Sequence, residues 1–272
     1  MDRQPSTHPV ALPAVVWRPA LGAFELAVAE AAAAAAPRPQ RATALLDALI
    51  EGLEGAPMTP ALARSLSCGT REWLLRRAAL RFRPDLAWFE ADCDTCGAAY
   101  DLSLDLRAMP LREPGAAFPV ASVETSLGRR GFEAPNGGHE EALAEAAGPD
   151  PRRRLLALCG LSPEAETEAH RFTEADCERI DAALEEISPE LGEAVASTCP
   201  SCGGAAVARV DPFRFGYPAP RGILREVHLL ASAYGWSQEA ILAMPAARRH
   251  DYAALIERDR QARLGHRGMG LP

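Results

Sequence analysis

ADCDTCGAAYDL (residues 91–102) and STCPSCGGAAVARV (residues 197–210) are two versions of one device. In each, two cysteines flank two residues, a glycine follows the second cysteine, and a strand-like segment follows the glycine. The spacing has a geometric reason. A tight turn between the cysteines points both sulfurs to one side, and the glycine accepts a positive φ while backbone amides approach the sulfurs. Two such turns supply four thiolates, Cys93, Cys96, Cys199 and Cys202. That is the ligand set of one tetrahedral zinc with Zn–S bonds of about 2.3 Å. Four thiolates saturate the ion and leave no position for water or substrate, so the expectation is one structural Zn2+ per chain and no zinc chemistry. The other reading takes the pairs as unrelated, with either one a redox dithiol. A redox dithiol needs only one pair, usually near a helix N-terminus, whereas both pairs here lie between strands.

Cys96 and Cys199 stand 103 positions apart, far more than in a common zinc ribbon. Loop closure costs only about 0.6 kcal/mol per doubling of length, so the gap does not forbid one shared site. The intervening chain also reads as folded. VASVETSL and RRGFEAP form a hairpin pattern around Gly128, HEEALAEAA and RRRLLALCGL read as helices, and Thr173 caps EADCERIDAALEEI. Before the first knuckle, the lead from Met1 to Pro19 reads as extended. Helices are expected over Leu21–Ala36 and Gln40–Leu53, over a short segment capped by Thr59 and closed by Gly69, and over TREWLLRRAALRF capped by Thr70. After the second knuckle the chain is helical again. Gly235 ends a helix, Ser237 caps a short one, and Met244-Pro245 opens the last. The fold class is therefore α+β, in three parts. Residues 1–83 form an N-terminal helical layer. Residues 84–211 hold zinc-knuckle β-hairpins joined by a long folded insertion. Residues 212–272 form a three-helix module.

Composition narrows the function classes. The formal net charge is −8 and all 29 basic residues are Arg. An acidic chain without clustered basic and aromatic side chains is a poor nucleic-acid binder, so no nucleic-acid partner is expected. No segment reaches the roughly 20 apolar residues of a membrane span. The N-terminus lacks a signal-peptide pattern, and a cytoplasmic, membrane-free protein is expected. Seven cysteines, an odd number, argue for metal ligation in a reducing compartment over a disulfide framework.

No phosphate-binding glycine loop, nucleophile elbow or zinc-protease motif occurs in the sequence, and neither an enzyme nor a small-molecule substrate is expected. Cys68, Cys159 and Cys177 read as helix packing residues, and His228 as a structural helix residue. His139 beside Glu140 and Glu141 reads as a solvated helix start. Arg152 to Arg154 read as an exposed first turn open to an acidic partner. The C-terminal helices carry more apolar side chains than short helices bury among themselves. Tyr234, Trp236, Leu242 and Tyr252 are therefore candidate partner-binding residues, with packing on the body of the chain as the alternative.

The order of these parts, and above all EVHLLASAYGWSQEAIL (226–242) with Arg248-Arg249 and Tyr252 behind it, resembles the T-even-type baseplate hub assembly chaperone family of contractile phage tails and related contractile injection systems. The resemblance runs from about Thr70 to Asp259. The pattern departs at Met244, where a Ser is expected, and at GFEAPNGG, a loose version of the family's loop. The resemblance implies an accessory protein in baseplate assembly, whose partners are baseplate or tail proteins of the same system. It carries over no catalytic residues.

Overall fold

A computed structural model describes residues 13–82, 87–105, 107, 118–145, 150–188, 194–209, 211, 213 and 216–268. The expected lead up to residue 12 and the expected boundaries at 83/84 and 212 lie outside them. The fold is α+β, and the described residues form helices and four small antiparallel sheets.

The N-terminal layer contains β1 (Val15–Trp17), α1 (Gly22–Ala33), α2 (Arg38–Leu49), β2 (Ile50–Leu53), β3 (Ala56–Pro57), α3 (Pro60–Ser65) and α4 (Cys68–Phe82). Three expectations are corrected here. The second helix stops at Leu49, and its expected last turn is a strand pairing with β1, Val16 opposite Gly52. Ile50 and Gly52 are poor helix residues, and β1 offers the backbone partners that continued helix would otherwise supply. Ser67 and not Thr70 caps α4, its Oγ accepting the Thr70 amide at 3.2 Å. Gly69 lies inside the first turn of α4 and does not close α3. Thr59 caps α3 as expected.

Helix α1 is apolar on two sides because it packs on two sides. Phe24, Val28 and Ala32 enter the N-terminal core with Leu45, Leu49, Leu74 and Trp73. Ala29, with Leu26 beside it, enters a second core with α9 (Pro220–Tyr234), α10 (Gln238–Leu242) and α11 (Ala246–Gly268). The alanines let neighbouring backbones approach from both directions. The C-terminal helices thus share a core with the N-terminal layer. Tyr217 strengthens that union, being buried in the N-terminal core and donating its hydroxyl to Leu75 O at 2.7 Å.

Between the knuckles lie β6 (Val120–Thr125), β7 (Gly128–Glu133), α5 (Gly137–Glu145), α6 (Pro151–Cys159), α7 (Ala165–Arg171) and α8 (Glu174–Ile187), and all but α5 feed a core of their own around Phe132, Leu156, Phe172 and Ile180. This is the expected folded insertion. Helix α5 docks it onto the N-terminal layer: Glu141 accepts from Thr43 Oγ1 and Arg64 Nε, both at 2.7 Å. Backbone bonds from Cys68 N to Pro135 O and from Gly137 N to Leu66 O complete the joint.

Asp176 ties the insertion's hairpin to its longest helix. It completes a capping box with Thr173 and accepts from the Ser126 amide at 2.8 Å and the Ser126 hydroxyl at 2.5 Å. These donors, the Ser126 hydroxyl foremost, hold its carboxyl far below the usual carboxylate range. A depressed folded-state pKa means that the stabilisation is complete above the unfolded value, about 3.9, and is lost as pH falls below it. Asp176→Asn should therefore lower the urea midpoint at pH 7. Its deficit against wild type should shrink steadily below about pH 4, and a deficit that stays constant with pH would contradict this account.

Candidate metal centre

Strand β4 (Ala87–Asp92) pairs with β5 (Ala99–Leu104), and β8 (Ala194–Thr198) with β9 (Ala205–Arg209). The turn joining each pair is a knuckle, and the two knuckles are built alike. The Cys93 amide donates to Ala98 O and the Gly97 amide to Cys93 O. At the second knuckle, Cys199 N donates to Gly204 O and Gly203 N to Cys199 O. Gly97 and Gly203 both adopt φ of +70°, the left-handed conformation that suits glycine.

These turns bring all four predicted sulfurs within 4.8 Å of one another. Among the described residues it is the one such group of three or more His, Cys, Asp or Glu side chains. Cys93 Sγ lies 3.8 Å from Cys202 Sγ, and Cys96 Sγ lies 3.8 Å from Cys199 Sγ. A tetrahedron with metal–sulfur bonds of about 2.3 Å has edges of about 3.8 Å. A disulfide would need sulfurs about 2.05 Å apart. Both of these contacts cross between knuckles, so an ion at the centre would join the two hairpins. Cys93 and Cys199 are buried, whereas Cys96 and Cys202 face outward.

The electrostatics favour the thiolate at two of the four sulfurs. The Cys202 amide, with that of Ser201, draws the Cys199 thiol down to about 6, and the Cys96 and Thr95 amides lower Cys93. At Cys96 the Ala98 amide pulls the same way, but desolvation and the other sulfurs win and push the thiol up to about 12. Four thiolates this close repel one another, and a divalent cation at their centre removes that repulsion. The donor set, its spacing and its charge fit a tetrahedral thiolate metal site.

Compared with protein-family models, curated proteins and solved structures, the chain matches none.

Among the described residues, little besides the sulfurs holds the hairpins together. Their common core consists of Ala91, Cys93, Tyr100, Cys199, Ala206 and Ala208, with Leu102 at its margin. Tyr100 and Ser197 share a 2.6 Å hydroxyl hydrogen bond across the hairpins.

The other residues singled out in the sequence have mixed placements. Tyr234 is 43% exposed and stacks on Trp236 with ring centroids 4.7 Å apart, and Tyr252 closes edge-on against both. Leu242 is corrected as a partner contact: it is buried in the core that the C-terminal helices share with α1. His228 is exposed. In the Arg run, Arg154 is exposed as expected, and the other two are corrected. Arg152 pairs with Glu174 and Asp181 of α8, and Arg153 donates to the carbonyls of Ala169 and Phe172.

His139 is buried, not solvated. Its Nδ1 lies 3.6 Å from Cys159 Sγ, and its Nε2 lies 3.2 Å from Glu133 Oε1. This thiol–imidazole–carboxylate line joins three elements, so no local spacing announces it. Burial first, and Glu133 second, push the Cys159 thiol up to about 12. With its side chain fully buried, the thiol is closed to substrates.

Proposed function

We propose that this chain is a non-enzymatic assembly chaperone or adaptor for the baseplate of a contractile phage tail or contractile injection system, built around a structural zinc site. The observation that carries the structural part is the closed group of four sulfurs with 3.8 Å edges between knuckles. Zinc suits it because the ion is redox-inert and takes four thiolates tetrahedrally, which leaves its coordination sphere full. The baseplate assignment rests on the sequence resemblance in Glu226–Tyr252. The aromatic group Tyr234, Trp236 and Tyr252 supports a role in partner contact. It lies partly open at the end of α9, and aromatic side chains are enriched among interface anchors.

Three measurements test the reading. Metal analysis of the purified full-length chain should give about one zinc per chain, as a single four-thiolate site requires. One iron per chain would replace the structural reading with electron transfer, and metal-free protein with reactive thiol pairs would favour a redox dithiol. Coexpression with baseplate and tail proteins encoded beside it should yield a complex that Trp236→Ala weakens without changing zinc content. An assembly factor should then be absent or substoichiometric in mature particles; stoichiometric presence would make it a permanent subunit.

A further inference from the structure

One histidine completes the helix start that docks the insertion onto the N-terminal layer. The His139 amide donates to Asn136 Oδ1 at 3.0 Å, and the Asn136 amide donates back to His139 Nδ1 at 3.4 Å. This is a capping box in which an imidazole takes the place of the usual Glu or Gln. The same Nδ1 faces the Cys159 thiol, and Nε2 faces Glu133. The pattern assigns the neutral ring's proton to Nε2 and leaves Nδ1 as the acceptor. A second proton would have to go on Nδ1, where the Asn136 amide and the Cys159 thiol already point. It would also set a positive charge at a helix N-terminus, where the dipole disfavours it.

The surrounding charges decide how strongly this matters. Glu133 on β7 is the carboxylate at the ring, and it favours the imidazolium. Cys159 on α6 is the thiol at the ring. The neighbouring carboxylates on α5 are directed to the N-terminal layer: Glu141 to Thr43 and Arg64, and Glu140 to Arg71, 3.8 Å away on α4. Cys68 also faces Glu140 from α4. Desolvation outweighs Glu133, and the His139 pKa is lowered from its ordinary value.

We propose that the Asn136–His139 capping box is an acid-released latch between the insertion and the N-terminal helical layer. Because the folded state favours the neutral ring, the latch is fully closed above the unfolded histidine value of about 6.5. It opens as pH falls from there through the lower folded value. Opening uncaps α5 and loosens the backbone contacts of residues 135–137 with 66–68.

Hydrogen exchange on the full-length, metal-loaded chain at pH 7.5 and 5.5, corrected for intrinsic rates, tests this. Amides 136–141 of the wild type should lose about fivefold in protection, the worth of one ordinary hydrogen bond, while amides near Ile180 in α8 keep theirs. His139→Gln retains an acceptor but does not titrate, so its protection should hold at both pH values. Glu133→Gln removes the carboxylate that favours the imidazolium in the closed state, widens the gap between the folded and unfolded values, and should enlarge the protection lost at pH 5.5. Unchanged protection in the wild type overturns the latch, and so does an equal loss in His139→Gln. If His139→Gln does not fold, Glu133→Gln decides: a larger loss of protection at pH 5.5 than in the wild type supports the latch, and an equal or smaller loss overturns it.

Discussion

Cys199→Ser should abolish stoichiometric metal binding and release the two knuckle hairpins from each other. The expectation follows from what little else joins them. Five of the six buried residues in their shared core are alanines or ligands from opposite knuckles, and Tyr100 is the one large side chain among them. Ordering a backbone residue costs roughly 1–2 kcal/mol, and small buried side chains return little against that. The Tyr100–Ser197 bond adds about 1 kcal/mol, as an ordinary hydrogen bond does. In small zinc domains the metal supplies on the order of 10 kcal/mol of folding free energy. This larger chain, with separate cores elsewhere, should lose less in global stability but nearly all order in the hairpins. Amide exchange in β4, β5, β8 and β9 should therefore become fast in Cys199→Ser, while α2 and α4 in the N-terminal core remain protected. A chelator should do the same to the wild type and make Cys93, Cys96, Cys199 and Cys202 reactive to a thiol reagent. A variant with wild-type exchange in all four strands would show that the site is dispensable.

The knuckles were legible in the sequence because their geometry is encoded within a few residues. Two cysteines, the turn between them and the left-handed glycine specify where the sulfurs point, whatever surrounds them. The caps at Thr59, Thr173 and Ser237 and the left-handed Gly235 were legible for the same reason. What depends on distant partners was not. Nothing near Ile50 reveals that β1 lies alongside to receive a strand. His139, next to two glutamates, has the local signature of a wet helix start, yet it is buried against Cys159 of α6 and Glu133 of β7. Arg152 and Arg153 similarly look exposed until α8 and the end of α7 fold against them. The C-terminal helices were legible as amphipathic, but the identity of their cover was not, because half of α1 is alanine and small apolar residues do not mark out one face.

That cover creates the second large effect. Arg249, fully buried in α11, should be among the residues least tolerant of substitution. Its Nε donates to Glu226 of α9 at 2.7 Å and its Nη2 to Glu25 of α1, so one guanidinium joins three helices. Nη1 has no hydrogen-bond partner among the described residues and rests against Gly22, where an added Cβ would stand 2.5 Å from it. Arg249→Met keeps much of the side-chain volume but leaves Glu25, itself buried, without its counter-charge. Removing one member of a buried ion pair costs about 3–5 kcal/mol. A loss of that size should appear in the urea midpoint, with exchange in α9 and α11 rising together. Glu226 is the more forgiving partner, since it borders solvent and also faces His250 Nε2 at 3.2 Å. The decisive comparison is Arg249→Met with Glu25→Gln in one chain. If the loss comes from the stranded carboxylate, neutralising Glu25 recovers a large part of it, and the double-mutant cycle shows strong coupling. If the two losses simply add, packing around the arginine stem and not its charge holds the C-terminal helices on α1.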